Sequence, residues 1–288
     1  MTGADGSAWY RLAVTGDVRR ERSTKPRRAG VTMVIDTGLG LSQCGDLLMM
    51  ADRWIDHWKL SFGTSALMPK PVLTKKLDLI GSAGILTFPG GTMFEATIVR
   101  RHCRHYMRTA RGMGFTAVEI SEGSIDLSPD RRRGAIECAL DHDLEVITEV
   151  GKKDPAAQPS PEQLADQALQ DLEWGASWVV VEGRESGIGV GMYDAEGRID
   201  MEAVETVARR VGDAVDRLVW EAPLKDQQEM LIGRFGLNVG LGNIDPARIL
   251  ALEALRTGLR FETLQPIATR LAATGAWDPE RREPDLAS

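Results

Sequence analysis

ITEVGKK, residues 147–153, begins as an apolar run and ends in charge: Ile147 and Val150 lead directly into Lys152 and Lys153, with Glu149 between them and the start of the run. Alternate side chains of a strand share a face, so Glu149 and Lys153 lie on the same side if the extended form persists through Gly151. A carboxylate and an ammonium at the end of a buried strand suit one place well, the mouth of a parallel sheet where strands hand over to loops. Glu149 with Lys152 as a purely structural ion pair is the plainer alternative.

Working outward, seven further runs share this form, each apolar and bounded by Gly or an acid. They are VTMVID (31–36), HWKLSFG (57–63), GILTFPGG (84–91), AVEISEG (117–123), WVVVEG (178–183), RLVWEA (217–222) and LNVGLGN (237–243), with EVITEV (145–150) as the fifth in order. Between them the chain takes helical spacing. RRGAIECALDHD (132–143) and PEQLADQALQDLEWG (161–175) place apolar residues at i, i+3, i+4 and i+7, the second closing on Gly175. Eight strands alternating with helices predict a single-domain (β/α)8 TIM barrel over residues 29–265. An open doubly wound sheet uses the same alternation and is the alternative. Residues 1–28, with the basic cluster RRERSTKPRR, read as a flexible basic extension, and residues 266–288 as a polar tail.

The totals exclude several classes. A net charge of −7 argues against nucleic acid and anionic membranes, which recruit clustered positive charge. No apolar run of about 18 residues is present, and the start lacks the apolar core of a signal peptide. Cys44, Cys103 and Cys138 have no CxxC spacing and form no even set, so a reducing cytoplasm is the expected home. Barrel enzymes often associate, and a homo-oligomer is expected.

In a barrel of this kind the site lies at the C-terminal ends of the strands. Five acids end or nearly end a run there: Asp36, Glu119, Glu149, Glu182 and Glu221. Parity sets Lys59 with Ser61, Glu119 with Ser121, and Glu182 with Arg184. Such a cluster repels itself unless lysines and an oxygen-loving divalent cation such as Mg2+ offset it; internal ion pairing is the alternative for any one acid. FPGGTMFE (88–95), EGRESGIGVG (182–191) and NVGLGNI (238–244) put glycine turns near the same rim, where free backbone N–H groups suit an oxyanion. GIGVG does not fit the GxGxxG pattern, and NAD is rejected. HCRH (102–105) lacks a third metal ligand and reads as a solvated helix face, the cysteines as packing residues, and Trp174, Trp178 and Trp220 as packing.

Taken in order, GVTMVIDTGLGL, KLSFGTS, FPGGTMFE, AVEISEGSIDLS, ITEVGKK, VVVEGRESGIGVG, WEAPLKDQQ, NVGLGNI and LEALRTGLR resemble the phosphosulfolactate synthase family over residues 27–264. The resemblance implies a (β/α)8 barrel and Mg2+-dependent addition of sulfite to phosphoenolpyruvate, the first step of one coenzyme M pathway. It implies Lys153 as the acid that protonates C2, with Lys152 second, and Glu119, Glu149 and Glu182 as the metal shell. Lys59, Gly90, Gly91, Arg184, Lys225 and Asn243 are then the anion contacts. Three departures stand out: DTG replaces the family's DKG at Thr37, NVGL replaces NVNL at Gly240, and GLRFET (258–263) replaces GLRGDT. They leave room for a barrel enzyme that adds another nucleophile to an enol phosphate. The family is also similar to a plant heat-stress protein in which the charged motifs are degraded; EVGKK and EGRESG are intact here and favour an enzyme.

Overall fold

All eight runs form strands: β1 (Thr32–Asp36), β2 (His57–Leu60), β3 (Leu86–Pro89), β4 (Ala117–Ile120), β5 (Glu145–Val150), β6 (Trp178–Val181), β7 (Leu218–Glu221) and β8 (Gly240–Ile244). The structure, a computed structural model, describes residues 8–14 and 16–280. Every pairing is parallel, in the order β3-β2-β1-β8-β7-β6-β5-β4. First and last strands are neighbours, Thr32 facing Leu241, so the sheet curls into a barrel and the open arrangement is discarded. At the β3/β4 seam no ladder forms. Thr116 bridges the gap instead, its N–H donating to Thr87 O at 3.2 Å and its Oγ1 accepting from Thr87 N at 2.9 Å.

Strand parity sorts the side chains into two layers. Outward residues such as Val34, Trp58, Leu60, Val118, Val146, Val179 and Trp220 pack under the helices, each large side chain contributing roughly 1.5–3 kcal/mol. Inward residues Met33, Phe88, Ala117, Ile147, Trp178, Val180 and Val219 fill the barrel as an apolar plug. Above the plug the inward positions turn ionisable.

The helices start where their caps dictate. Pro161–Glu173 begins at Ser160, whose Oγ accepts from Gln163 N while Ser160 N donates back to Gln163 Oε1, with Pro161 at the first helical position. The segment read as helical over 132–143 is Pro129–Leu140, because Ser128 caps it a turn earlier and Asp143 lies in the left-handed region at φ 54°.

The basic stretch before β1 is packed rather than solvated where Arg22 and Arg27 meet the barrel. Arg22 grips Glu253 at 3.0 and 3.2 Å, and Arg27 holds Asp56 at 2.9 Å. Removing one partner of such a buried pair costs about 3–5 kcal/mol. Position 265 falls within the helix Phe261–Ala273, so the barrel's last helical layer runs past that boundary. The end of the polar tail, residues 281–288, lies outside the described residues. No helix among the described residues is long and apolar enough to cross a membrane.

Candidate active site

Four carboxylates and two lysines meet at the C-terminal mouth. Lys59, inward on β2, places Nζ 3.0 Å from Glu119, 3.2 Å from Glu149 and 2.9 Å from Glu221. Lys153 lies 3.1 Å from Glu149 and 3.3 Å from Glu182. Glu149 therefore bridges both ammonium groups. Arg132, tied to Asp171 at 2.6 and 2.8 Å, also donates to Glu149 O at 3.0 Å and steadies the end of β5. Around this ring the lining includes Ser61, Phe62, Gly90, Gly91, Thr92, Arg184 and Asn243.

Burial alone would depress Lys59, but Glu119, Glu221 and Glu149 outweigh it and hold the lysine well above its ordinary range. Lys153 is likewise raised: burial is overcome by Glu149 and Glu182. For Glu149, burial is overcome by Lys153 and Lys59, and the carboxyl is held well below the usual range. Glu119 goes the other way, pushed to about 7 by burial that Lys59 only partly offsets. Glu182 is raised too, by burial and by the Glu149 and Glu221 charges. The ring thus holds more carboxylate than its lysines can match.

That imbalance fits a cation. The donors are all oxygen, and two unpartnered buried oxygens, Ser61 Oγ and Asn243 Oδ1, belong to residues of the same lining. A closed cage is not formed: among the described residues no three His, Cys, Asp or Glu side chains converge to hold an ion. Mg2+ suits such a place because it typically takes one or two carboxylates and completes its shell with water and substrate oxygens. Glu119 and Glu182 each meet one lysine, whereas Glu149 meets both.

Not every residue read from the sequence arrives. Asp36 turns outward, because β1 points Met33 and Ile35 inward; it binds Lys76 at 2.5 Å and Trp58 Nε1 at 2.8 Å beneath the helices. Lys152 leaves the ring, donating to Glu122 O, Ile125 O and Asp126 at 2.8 Å each and clamping the loop after β4. Gly90 and Gly91 line the pocket, but their amides are taken, Gly90 by Leu60 O at 2.9 Å and Gly91 by Glu119 Oε2 at 2.5 Å. Glycine at 91 is required by space, since a Cβ there would stand 2.2 Å from Ser121 Oγ. Lys225 pairs with Glu262 at 2.7 Å and lines an adjoining hollow of about 380 Å3 with Thr37, Arg248 and Arg260. Gly240 starts β8, away from the mouth; a Cβ there would meet Leu218 O at 2.3 Å.

Sequence reasoning named Arg184 and Asn243 as anion contacts but missed Phe62, Glu95 and the left-handed backbone at the rim. Phe62, Arg184 and Asn243 all adopt left-handed backbone, at φ 55°, 60° and 54°, and all line the pocket. Strain of about 1–3 kcal/mol at such residues gathers at functional sites. Arg184 makes no ion pair among the described residues, so its guanidinium is a cation with charge to offer. Glu95, buried under the rim, accepts from Ser121 Oγ at 2.5 Å, Gly123 N at 2.9 Å and Ser124 N at 3.1 Å, and so fixes the loop against Lys153. No local pattern marks Phe62 or Glu95; the packing does.

Among solved structures, a monomeric dihydrodipicolinate synthase variant aligns with a TM-score of 0.50 at 13% identity, covering 90% of this chain and 91% of its own, a likeness of fold alone. In sequence, the phosphosulfolactate synthase of Methanothermobacter thermautotrophicus is 38% identical over 245 residues, 84% of this chain and 94% of that protein. That of Methanocaldococcus jannaschii is 37% identical over 238 residues, 81% of this chain and 93% of that protein. The family profile described as (2R)-phospho-3-sulfolactate synthase (ComA) spans residues 20–262, and with it the chain belongs to that enzyme family.

Proposed function

We propose that this chain adds sulfite to phosphoenolpyruvate, with Mg2+, to give (2R)-O-phospho-3-sulfolactate as the first step of a coenzyme M pathway, acting in the cytoplasm as a homo-oligomer. The observation that carries the reading is Lys153, a charged ammonium at the mouth of a carboxylate ring whose lining also holds Arg184, without an ion pair among the described residues, in a chain of this family.

Sulfite sulfur forms a bond to C3, the C2–C3 π pair moves toward C2 and the substrate carboxylate, and an enolate-like dianion results. Lys153 then delivers a proton from Nζ to C2, which completes the addition with no group expelled. Its side chain is 30% exposed against 8% for Lys59, so Lys153 is the lysine that meets substrate while Lys59 stays buried as a counter-ion. Glu149 and Glu182 keep Lys153 charged and aimed. Arg184 offers a forked donor to a tetrahedral oxyanion. Mg2+ held by Glu119 and Glu182 would offset the charge that grows on the substrate carboxylate. Lys225, Arg248 and Arg260 line the hollow beside Thr37, where they would offset the rim lysine that Thr37 replaces. Exposed Met49, Leu67 and Phe261 give an oligomer apolar surface to bury, and free Cys44, Cys103 and Cys138 suit a reducing compartment.

The test is incubation with phosphoenolpyruvate, sulfite and Mg2+, followed by 31P and 1H NMR. Loss of the vinyl protons with appearance of a phosphosulfolactate CH–CH2 pattern is expected. Bound but unconverted phosphoenolpyruvate would refute sulfite as the nucleophile.

A further inference from the structure

We propose that the opposite, N-terminal mouth of the barrel is a second binding site, for a small organic anion with a flat apolar body. A cavity of about 490 Å3 lies there between residues 25–28 and the starts of the strands. Small-molecule sites commonly enclose about 300–1,000 Å3. His57 and Trp178 form part of its lining, their rings meeting edge to face at 5.2 Å.

Its charge runs against that of the whole molecule. Lys25, Arg28 and Arg217 all line it, in a chain whose net charge is −7. None of the three is matched by a carboxylate among the described residues. Lys25 Nζ donates to Asp52 O at 3.0 Å and Ala83 O at 3.1 Å, both backbone; Arg217 donates to the Ser177 and Ala176 carbonyls. Arg28 is exposed. Of the two acids in the lining, Asp56 is taken by Arg27 at 2.9 Å and by Thr32 N at 2.9 Å, which leaves the exposed Glu145 alone. Burial depresses Lys25 more than Asp56 and Asp52 restore it, the state of a cation short of an anion.

His57 is the second, independent sign. It is 2% exposed and its Nδ1 has no hydrogen-bond partner. An unsatisfied buried polar atom costs about 1–3 kcal/mol, a cost that a ligand hydrogen bond would remove. Burial holds this imidazole neutral, at about 4, so it can offer one donor and one acceptor. Trp178 beside it supplies an aromatic surface for a flat body, while the three cations supply the headgroup contacts. The apolar plug of Met33, Phe88, Ile147, Val180 and Val219 separates this cavity from the carboxylate ring.

The probe is 1-anilinonaphthalene-8-sulfonate, titrated by fluorescence into the full chain with phosphoenolpyruvate saturating the other mouth. Arg28→Glu, an exposed change, is expected to raise its Kd at least tenfold and leave turnover unaltered. In a 1H–13C spectrum the His57 imidazole signal, assigned with His57→Gln, should move during the titration while those of His102, His105 and His142 stay. Inorganic phosphate should bind at least tenfold more weakly than the probe, since it leaves Trp178 uncovered. Equal probe affinity in Arg28→Glu, or a stationary His57 signal, would overturn the site; phosphate binding as tightly as the probe would overturn its flat-bodied ligand.

Discussion

Glu119→Gln tests the electrostatics of the ring directly. Glu119 is fully buried and its folded carboxyl sits near 7 against an ordinary 4.5, chiefly through burial. The folded state therefore binds a proton that the unfolded chain releases between those two values, so stability is full below 4.5 and falls as pH rises toward and through 7. Between pH 5 and pH 8 a lone group with these two values loses about 2.5 kcal/mol, at 1.36 kcal/mol per unit. Glutamine keeps the shape and cannot ionise, so the variant should lack that slope. Urea denaturation of both proteins across this range, without divalent cation, measures it: the difference in unfolding free energy should shift toward the variant by about 2–3 kcal/mol as pH rises. At pH 5 the variant should be the less stable, because Lys59 and Gly91 N each meet a different Glu119 oxygen and glutamine offers only one acceptor oxygen. Parallel pH profiles would refute the assignment of excess negative charge to Glu119, and with it the reason for placing a cation there.

The two neighbouring lysines should separate cleanly. Lys153→Ala should lower turnover by about 10²–10⁴-fold, the usual worth of a general acid, with little change in circular dichroism, and near-normal turnover would exclude it. Lys152→Ala should stay within a few-fold of wild-type turnover, since its ammonium serves backbone carbonyls and Asp126, while protease cleavage in the loop after β4 should quicken. Gly123→Ala should mimic Lys153→Ala without removing the amine, because a Cβ at 123 would sit 2.9 Å from Lys153 Nζ. Steady-state kinetics should show the loss in kcat, and a variant changed only in KM would show that the lysine tolerates displacement.

How much of this was written in the chain depends on which rule each residue obeys. The eight strands were legible because a parallel barrel strand is buried on both faces, leaving an apolar run that loops must interrupt. Parity carried Lys59, Glu119, Glu149 and Glu182 to one mouth, because each lies in or just beyond a strand whose inward face is known from its neighbours, and the i,i+4 pair with Glu149 brings Lys153 to them. The same rule, applied to Asp36 only as the last residue of its run, failed: position in the run says how high a residue sits, and parity with Met33 and Ile35 says which way it points. Lys152 shows the limit one step further on. It adjoins Lys153, yet past Gly151, at φ 118°, extended parity no longer governs and the loop's own carbonyls decide. Glu95 lies further from any local pattern, since its partners, Ser121, Gly123 and Ser124, stand 26 to 29 residues away and meet it only when β3 and β4 close the seam. The proposed acid, Lys153, is thus readable from seven residues, whereas the shell around it exists only in the closed barrel. A substitution in that shell, far from ITEVGKK in sequence, should act on the same ammonium.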